Sequence, residues 1–320
     1  MSPGGGAATV DNAIYDLLRS RGAWIGFPIG AGRVFYVDGL AGNNGNIGTD
    51  PNQPWLTITY ALTQCVADRN DYIIVLDHWQ EVVAINVTRV HIIGLSNYLR
   101  PNSNHSFVQM NALADTAIFT VTALANNCEI AGFSFGGGAT HAAIENIAGT
   151  PMGLHIHDCV FGHSFAGGTP QDGIRIGLNA TNIRIEDCVF LGIPDGKGTL
   201  TRDGIHWAGA GDPLNGNLER NQFKGLPGIG INLNFPAVTG GFTIKDNVFA
   251  VPDLANGEAI TLQAGVAGCL VTGNKAMAGG DNAMATVSFR DLSTGPPVGS
   301  ENHWGQNFLG AAIAALPVCA

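Results

Sequence analysis

One short segment returns about eight times along this chain, and that recurrence constrains the fold more than any other feature. The clearest copies are Leu154-His-Ile-His-Asp-Cys-Val-Phe161, Ile183-Arg-Ile-Glu-Asp-Cys-Val-Phe190 and Phe242-Thr-Ile-Lys-Asp-Asn-Val-Phe249. Cys128-Glu-Ile-Ala-Gly-Phe-Ser-Phe135, Asn217-Leu-Glu-Arg-Asn-Gln-Phe223 and Cys269-Leu-Val-Thr-Gly-Asn-Lys-Ala276 fit the same register, with 89–95 a looser first copy and 303–308 a last one. In each copy apolar and polar residues alternate, which sends one set inward and the other outward from a strand. The chain then turns at Asp/Asn followed by Cys/Asn before another inward Phe. That aromatic falls at 135, 161, 190, 223 and 249, in steps of 26, 29, 33 and 26 residues.

Between the copies lies a second strand family: Ala143-Ile-Glu-Asn-Ile147, Gly173-Ile-Arg-Ile176, Gly204-Ile-His-Trp207, Gly228-Ile-Gly-Ile231, Ala259-Ile-Thr-Leu262 and Ala283-Met-Ala-Thr-Val287. Two phased families mean one circuit of chain per repeat. A strand without a hairpin partner then pairs with its own counterpart one circuit on. The fold class expected is therefore all-β: a single-stranded right-handed parallel β-helix with an N-terminal capping helix and an N-terminal arm.

Four zones follow. Residues 1–33 form the arm, with a Gly-rich tip and a short helix signalled by Asp11 as N-cap and Gly22 as terminator. A helix this short is unstable alone, so its apolar face of Val10, Ile14, Leu17 and Leu18 is expected to bind a partner. Residues 34–98 hold the cap and first coils: a strand at Val34-Phe-Tyr-Val37, a polar loop over 38–53, a helix over 54–67 and a strand at Tyr72-Ile-Ile-Val-Leu76. Leu56, Ile58, Ala61, Leu62 and Cys65 form the helix's apolar side, and it is expected to close the end of the solenoid, since terminal repeats need a cap. Residues 99–308 carry the repeats, and 309–320 form an uncharged apolar tail.

Tyr36-Val-Asp-Gly39, Gly42-Asn-Asn-Gly-Asn46, Pro54-Trp-Leu-Thr-Ile58, Ala61-Leu62 and Asp71-Tyr-Ile-Ile-Val75 stand in an order that resembles the opening of the pectate-lyase-like β-helix superfamily. That superfamily is seen in polysaccharide-degrading enzymes and in bacteriophage tailspikes and other virion proteins. The resemblance spans about residues 34–310. It departs at Asp77-His-Trp-Gln80, where such relatives usually show Pro-Gly-Thr-Tyr. It implies a fold and, for virion members, a homotrimer, but leaves function open.

The formal charge of −10 argues against nucleic acid or an anionic membrane as partner. No run reaches the roughly 18 apolar residues of a membrane span. The start lacks a basic segment followed by an apolar one, so synthesis in a host cytoplasm is expected, with the six cysteines as reduced thiols and the sequons at Asn86, Asn104 and Asn179 unused.

Asp172, Asp203 and Glu258 precede second-family strands at equivalent positions, with Pro227 read as an interruption between the last two. Neighbouring coils stand about 4.8 Å apart, near the roughly 5–5.5 Å between the carboxyls of a retaining glycosidase. The plainer reading is that these are turn acids that cap backbone amides. A polysaccharide lyase would need acids beside a basic residue on one face, and with 15 Lys+Arg no such column is visible. His155 and His157 flank inward Ile156 and point outward, beside Glu129, Arg184 and Glu186; with His163 they invite a metal reading, but charge pairing on a solvated face is expected instead. Cys159 and Cys188 are read as a buried thiol ladder continued by Asn221 and Asn247.

The function expected is a non-enzymatic bacteriophage virion structural protein, a capsid decoration (cement) β-helix, trimeric and held to capsid or tail proteins through the arm. The alternative is a tailspike-like or free enzyme that binds and depolymerises glycans, a glycoside hydrolase. No cofactor and no metal are expected.

Overall fold

A strand that returns to its own register must be bent at corners, and in most circuits two corners are made by single residues in the left-handed backbone region. In the computed structural model the described residues are 32–77, 80–95, 108–113, 115–136, 140–146, 149, 151–162, 170–177, 180–192, 199–208, 215–235, 241–251, 258–278, 289–293, 301–309 and 312–313. The arm with Val10, Ile14, Leu17 and Leu18, most of the tail, His163, Asn104 and Asn179 lie outside them.

One corner column is Arg89, Asn127, Gly153, Asn182, Asn215 and Gly268, with φ from 52° to 69°; the other is Gly132, Asp158, Asp187, Arg220, Asp246 and Gly273, with φ from 50° to 78°. Gly, Asn and Asp tolerate this region and most other side chains do not. That is the physical reason for the Asp in the repeated Asp-Cys and Asp-Asn pairs. The corner acids Asp158, Asp187 and Asp246 are structural, as expected of turn residues.

The corners distribute each circuit over three sheets of ten, nine and eight strands. Sheet A starts with Val34–Asp38, Asp71–Asp77 and Val90–Gly94 and ends at His303–Trp304. Sheet B runs from Val108–Met110 to Phe308–Leu309, and sheet C from Val83–Ile85 to Phe289–Asp291. Neighbours within each sheet pair in parallel, except that Ala312–Ile313 closes sheet B antiparallel to Phe308–Leu309. Ile156 pairs with Ile130 and Ile185, Phe161 with Phe135 and Phe190, and Ile174 with Ile144 and Ile205. The chain is a parallel β-helix. The first strand family of the sequence is folded in two at its left-handed residue, so two families become three sheets. Copy 154–161, for instance, becomes His155–His157 in sheet A and Val160–Phe161 in sheet B.

Eight residues separate the first corner from the inward Phe in four copies: Asn127 to Phe135, Gly153 to Phe161, Asn182 to Phe190 and Asn215 to Phe223. The uneven repeat length therefore resides in the connections into and out of sheet C. Inside, Phe135, Phe161, Phe190, Phe223 and Phe249 form one stack with centroid spacings of 5.1, 4.8, 4.7 and 4.6 Å, the spacing of hydrogen-bonded strands. A Cβ added at Gly173, Gly204 or Gly230 would stand 2.5–2.6 Å from the ring of Phe190, Phe223 or Phe249. The Gly-Ile that opens these sheet C strands thus makes room for the next circuit's ring.

At the N-terminal end, helix α1 covers Ile58–Gln64, shorter than the expected 54–67. Thr57 caps it by accepting the Tyr60 amide, and the buried Glu81 accepts the amides of Ile58 and Thr59. Trp55 bridges to Val37 instead of starting the helix, and Leu56, ahead of the cap, is exposed. Ile58, Ala61 and Leu62 enter the core against Val34–Asp38, Asp71–Asp77 and Val83–Ile85.

The segment 283–287 lies outside the described residues; the strand paired to Glu258–Leu262 is Phe289–Asp291. Val83–Ile85, Val108–Met110 and Phe119–Val121 are strands the repeat pattern missed. Cys65, Cys128, Cys159, Cys188 and Cys269 are free thiols. Cys159 and Cys188 are buried, and burial pushes the Cys188 thiol well up.

Candidate functional site

The residue two places before Ile174 and Ile205 in sheet C is an aspartate in each case. Asp172 is fully buried and Asp203 is 2% exposed. Asp172 Oδ1 accepts the Asp203 amide at 3.1 Å, and Asp203 Oδ1 accepts the Ile229 amide at 2.7 Å. Each carboxylate therefore caps the equivalent residue one circuit on. Ile205 pairs with Ile231, so Ile229, not Pro227, follows Asp203 in the column. The Gly228-Ile-Gly-Ile231 segment offers two Gly-Ile pairs, and the second is the one in register. Glu258 pairs with Ile229 and sits beyond this break, bound to Arg290 at 2.9 Å and to the Thr261 hydroxyl.

Three residues complete the aspartate pair, and none was singled out from the sequence. Arg202 donates to Asp172 Oδ1 from Nε at 2.8 Å and to Oδ2 from Nη2. His206 Nδ1 lies 3.0 Å from Asp203 Oδ2 and 3.8 Å from Asp172 Oδ2, out of line for a hydrogen bond. Asn232 Nδ2 donates to Asp203 Oδ2 at 3.1 Å. Arg202 adjoins Asp203 in sequence and His206 is the outward residue of Ile205–Ala208, but nothing in a single sequence says that they turn onto acids of two circuits.

The two carboxyls are pushed apart. Burial raises Asp172 above the usual range and outweighs the Arg202 ion pair. Burial opposes ionisation of Asp203 too, yet His206, the Ile229 amide and Asn232 together hold it below its ordinary value. Opposed shifts in neighbouring acids are the electrostatic pattern of an acid–base pair. One atom each from Asp172, Asp203 and His206 lies within 4.8 Å of the other two.

On the outer face of sheet A, His155 stands between Glu129 and Arg184, and His157 beside Glu186. The contacts run diagonally. His157 Nε2 meets Glu129 Oε1 at 2.7 Å, and His155 Nε2 meets Glu186 Oε1 at 2.6 Å. Glu129 Oε2 lies 2.5 Å from His91 Nδ1, while Arg184 and Arg220 hold Glu186. Burial works against a charged His157, but Asp158 and Glu129 flank it and push it up to about 10. Burial and the adjacent His157 lower His155. Among the described residues no helix is long and apolar enough to cross a membrane.

No family model matches the chain, and no curated protein matches it. Among solved structures it is similar to a GH136 lacto-N-biosidase from Eubacterium ramulus, as the native protein with TM-score 0.36 and 13% identity over 93% of this chain and 70% of that one. The selenomethionine derivative gives 0.33 and 12% over 94% and 71%. At these scores the likeness has no bearing on what this chain does.

Proposed function

We propose that the chain is a non-enzymatic structural protein, a β-helical rod of the virion type that its opening residues resemble. One observation carries the non-enzymatic part. Asp38, Asp71, Glu81, Glu145, Asp172, Asp203 and Asp291 are buried carboxylates, and each accepts at least one backbone amide. Acids committed to the main chain and shielded from solvent are poorly placed to reach a substrate. A capsid decoration role, trimeric and anchored through Val10, Ile14, Leu17 and Leu18, rests on the sequence alone. Its test is deletion of residues 2–33. The truncated chain should stay folded and soluble yet no longer join capsid or tail proteins; unchanged incorporation would place the anchor elsewhere.

The opposed shifts of Asp172 and Asp203 favour a second reading, a glycoside hydrolase with Asp172 as acid and Asp203 as base or nucleophile. The purified protein is expected to leave bacterial surface polysaccharide intact. Depolymerisation that disappears in Asp203→Asn would replace the structural reading with this one.

A further inference from the structure

The outer face of sheet A brings histidines and glutamates of four successive circuits together. They come from Val90–Gly94, Glu129–Ala131, His155–His157 and Ile183–Glu186. His155 and His157 are two apart on one strand, so the twofold period of a strand sends both to the same side. Their rings lie 4.3 Å apart, tilted by 30°. One ligand atom each from Glu129, His155 and His157 lies within 4.8 Å of the other two.

Zinc-type coordination puts nitrogen and oxygen ligands about 2.0–2.2 Å from the ion, hence roughly 3.3 Å from one another in a tetrahedron. The three side chains are partly exposed. Torsions of the imidazoles can close the remaining ångström or so without moving the strands. The orientation is also supported from behind. His157 Nδ1 lies 3.0 Å from Asp158 Oδ2, leaving Nε2 as the atom turned to Glu129. A carboxylate behind the outer nitrogen of a histidine is the arrangement that fixes a metal-binding imidazole. His91 holds the second oxygen of Glu129 in the same way. The other triad of possible ligands, Asp172, Asp203 and His206, lacks this fitness, because the Arg202 guanidinium already occupies Asp172.

We infer that Glu129, His155 and His157 form a binding site for a divalent transition metal of the zinc class, with water completing the shell. The ion ties the circuit of Glu129 to that of His155 and His157, acting as a staple on the outside of the solenoid.

The test uses the untagged full chain, stripped with EDTA, freed of chelator and titrated with zinc chloride by calorimetry, with thermal unfolding followed in parallel. One zinc per chain is expected, with a melting temperature that climbs as zinc is added. His155→Gln combined with His157→Gln should abolish saturable binding. Asp158→Gly keeps the left-handed corner while removing the supporting carboxylate, so it should fold and weaken binding about tenfold or more. Absence of saturable uptake would overturn the proposal. So would uptake unchanged in both variants, uptake lost instead in His206→Gln, or uptake lost on alkylating the thiols.

Discussion

Two columns of side chains stitch neighbouring circuits together, and they do so with opposite chemistry. At the corner between sheets A and B the column is neutral. Asn221, Asn247, Asn274 and Asn307 each accept, through Oδ1, the amide of the residue one circuit earlier, at 2.9–3.1 Å. Their Nδ2 groups donate to Ile185, Leu218, Ile244 and Val271 carbonyls, and the first three also to the next asparagine. At the entry to sheet C the column is charged and has two members, Asp172 and Asp203. The capping bond is of the same kind but runs the other way: each carboxylate accepts the amide one circuit later. A carboxamide carries donor and acceptor, so one residue type satisfies itself when copied. A carboxylate only accepts, and each burial of its charge needs a separate partner: Arg202 for Asp172, Asn232 and His206 for Asp203. The neutral column can repeat without new companions, whereas the charged one stops at Ile229.

The sharpest way to break this comparison is to put a charge in the neutral column. Asn247→Asp keeps the acceptor for the Asn221 amide but loses both donations, and among the described residues no cation bonds to this side chain. A loss of roughly 3–5 kcal/mol is expected at pH 7, the range for an uncompensated buried charge. Burial raises the folded-state pKa of such a carboxyl, so stability should be lost as pH rises through that value and recovered as pH falls. Chemical denaturation at pH 7 and at pH 4 checks both. A cost under about 1 kcal/mol would mean that neutrality is not what lets the ladder repeat.

The reverse exchange should be milder. Asp203→Asn retains an oxygen for the Ile229 amide, and Asp203→Ala leaves that amide unsatisfied, at about 1–3 kcal/mol. Denaturation midpoints of the two variants, compared side by side, measure the cap. Equal losses would show that the charge, not the cap, is what matters at this position.

The repeat was legible because each copy must satisfy the same constraints: a left-handed residue, a capping side chain and an inward ring, at fixed offsets. Asp158, Cys159 and Phe161 recur as Asp187, Cys188 and Phe190 for that reason. The third sheet was less legible, because a single left-handed residue such as Gly132 divides what reads as one strand. Pro227 was misplaced in the column because two consecutive Gly-Ile pairs fit the pattern, and only the pairing of Ile205 with Ile231 selects between them. The strand positions of Asp172, Asp203, His155 and His157 could be read, but their burial and partners could not. Diagonal contacts such as His157 to Glu129 depend on rotamers that alternation does not encode.

The diagonal pairs on sheet A supply a third, smaller test. The folded-state pKa of His157 is raised from 6.5 to about 10. Its contribution is therefore complete below about pH 6.5 and is lost as pH rises toward about 10. Glu129, between His157 and His91, is held below its ordinary 4.5; burial opposes this and is outweighed. Its contribution is present above about pH 4.5 and fades as pH falls below that. Metal-free protein should thus be best supported by this pair between about pH 4.5 and 6.5, declining to either side. The alkaline decline, about 1 kcal/mol for partly solvated ion pairs, should be absent in His157→Gln when melting temperatures are compared from pH 6 to 10. The same slope in that variant would assign the decline to other groups.

The smallest effect is expected at Glu258, the third acid of the column read from the sequence. Its neighbour in register is Ile229, so it caps no amide of a following acid and shares no partner with Asp203. Its ligands are Arg290, which is 47% exposed, and the Thr261 hydroxyl. An ion pair with one member this open to solvent gains little beyond water, about 0–1 kcal/mol. Glu258→Gln preserves size and one acceptor, so its denaturation midpoint should match that of the parent to within this margin, and 0.5 M salt should change neither. A loss comparable to that of Asp203→Ala would show that the column continues past Ile229, and that the charged ladder is longer than its two buried members.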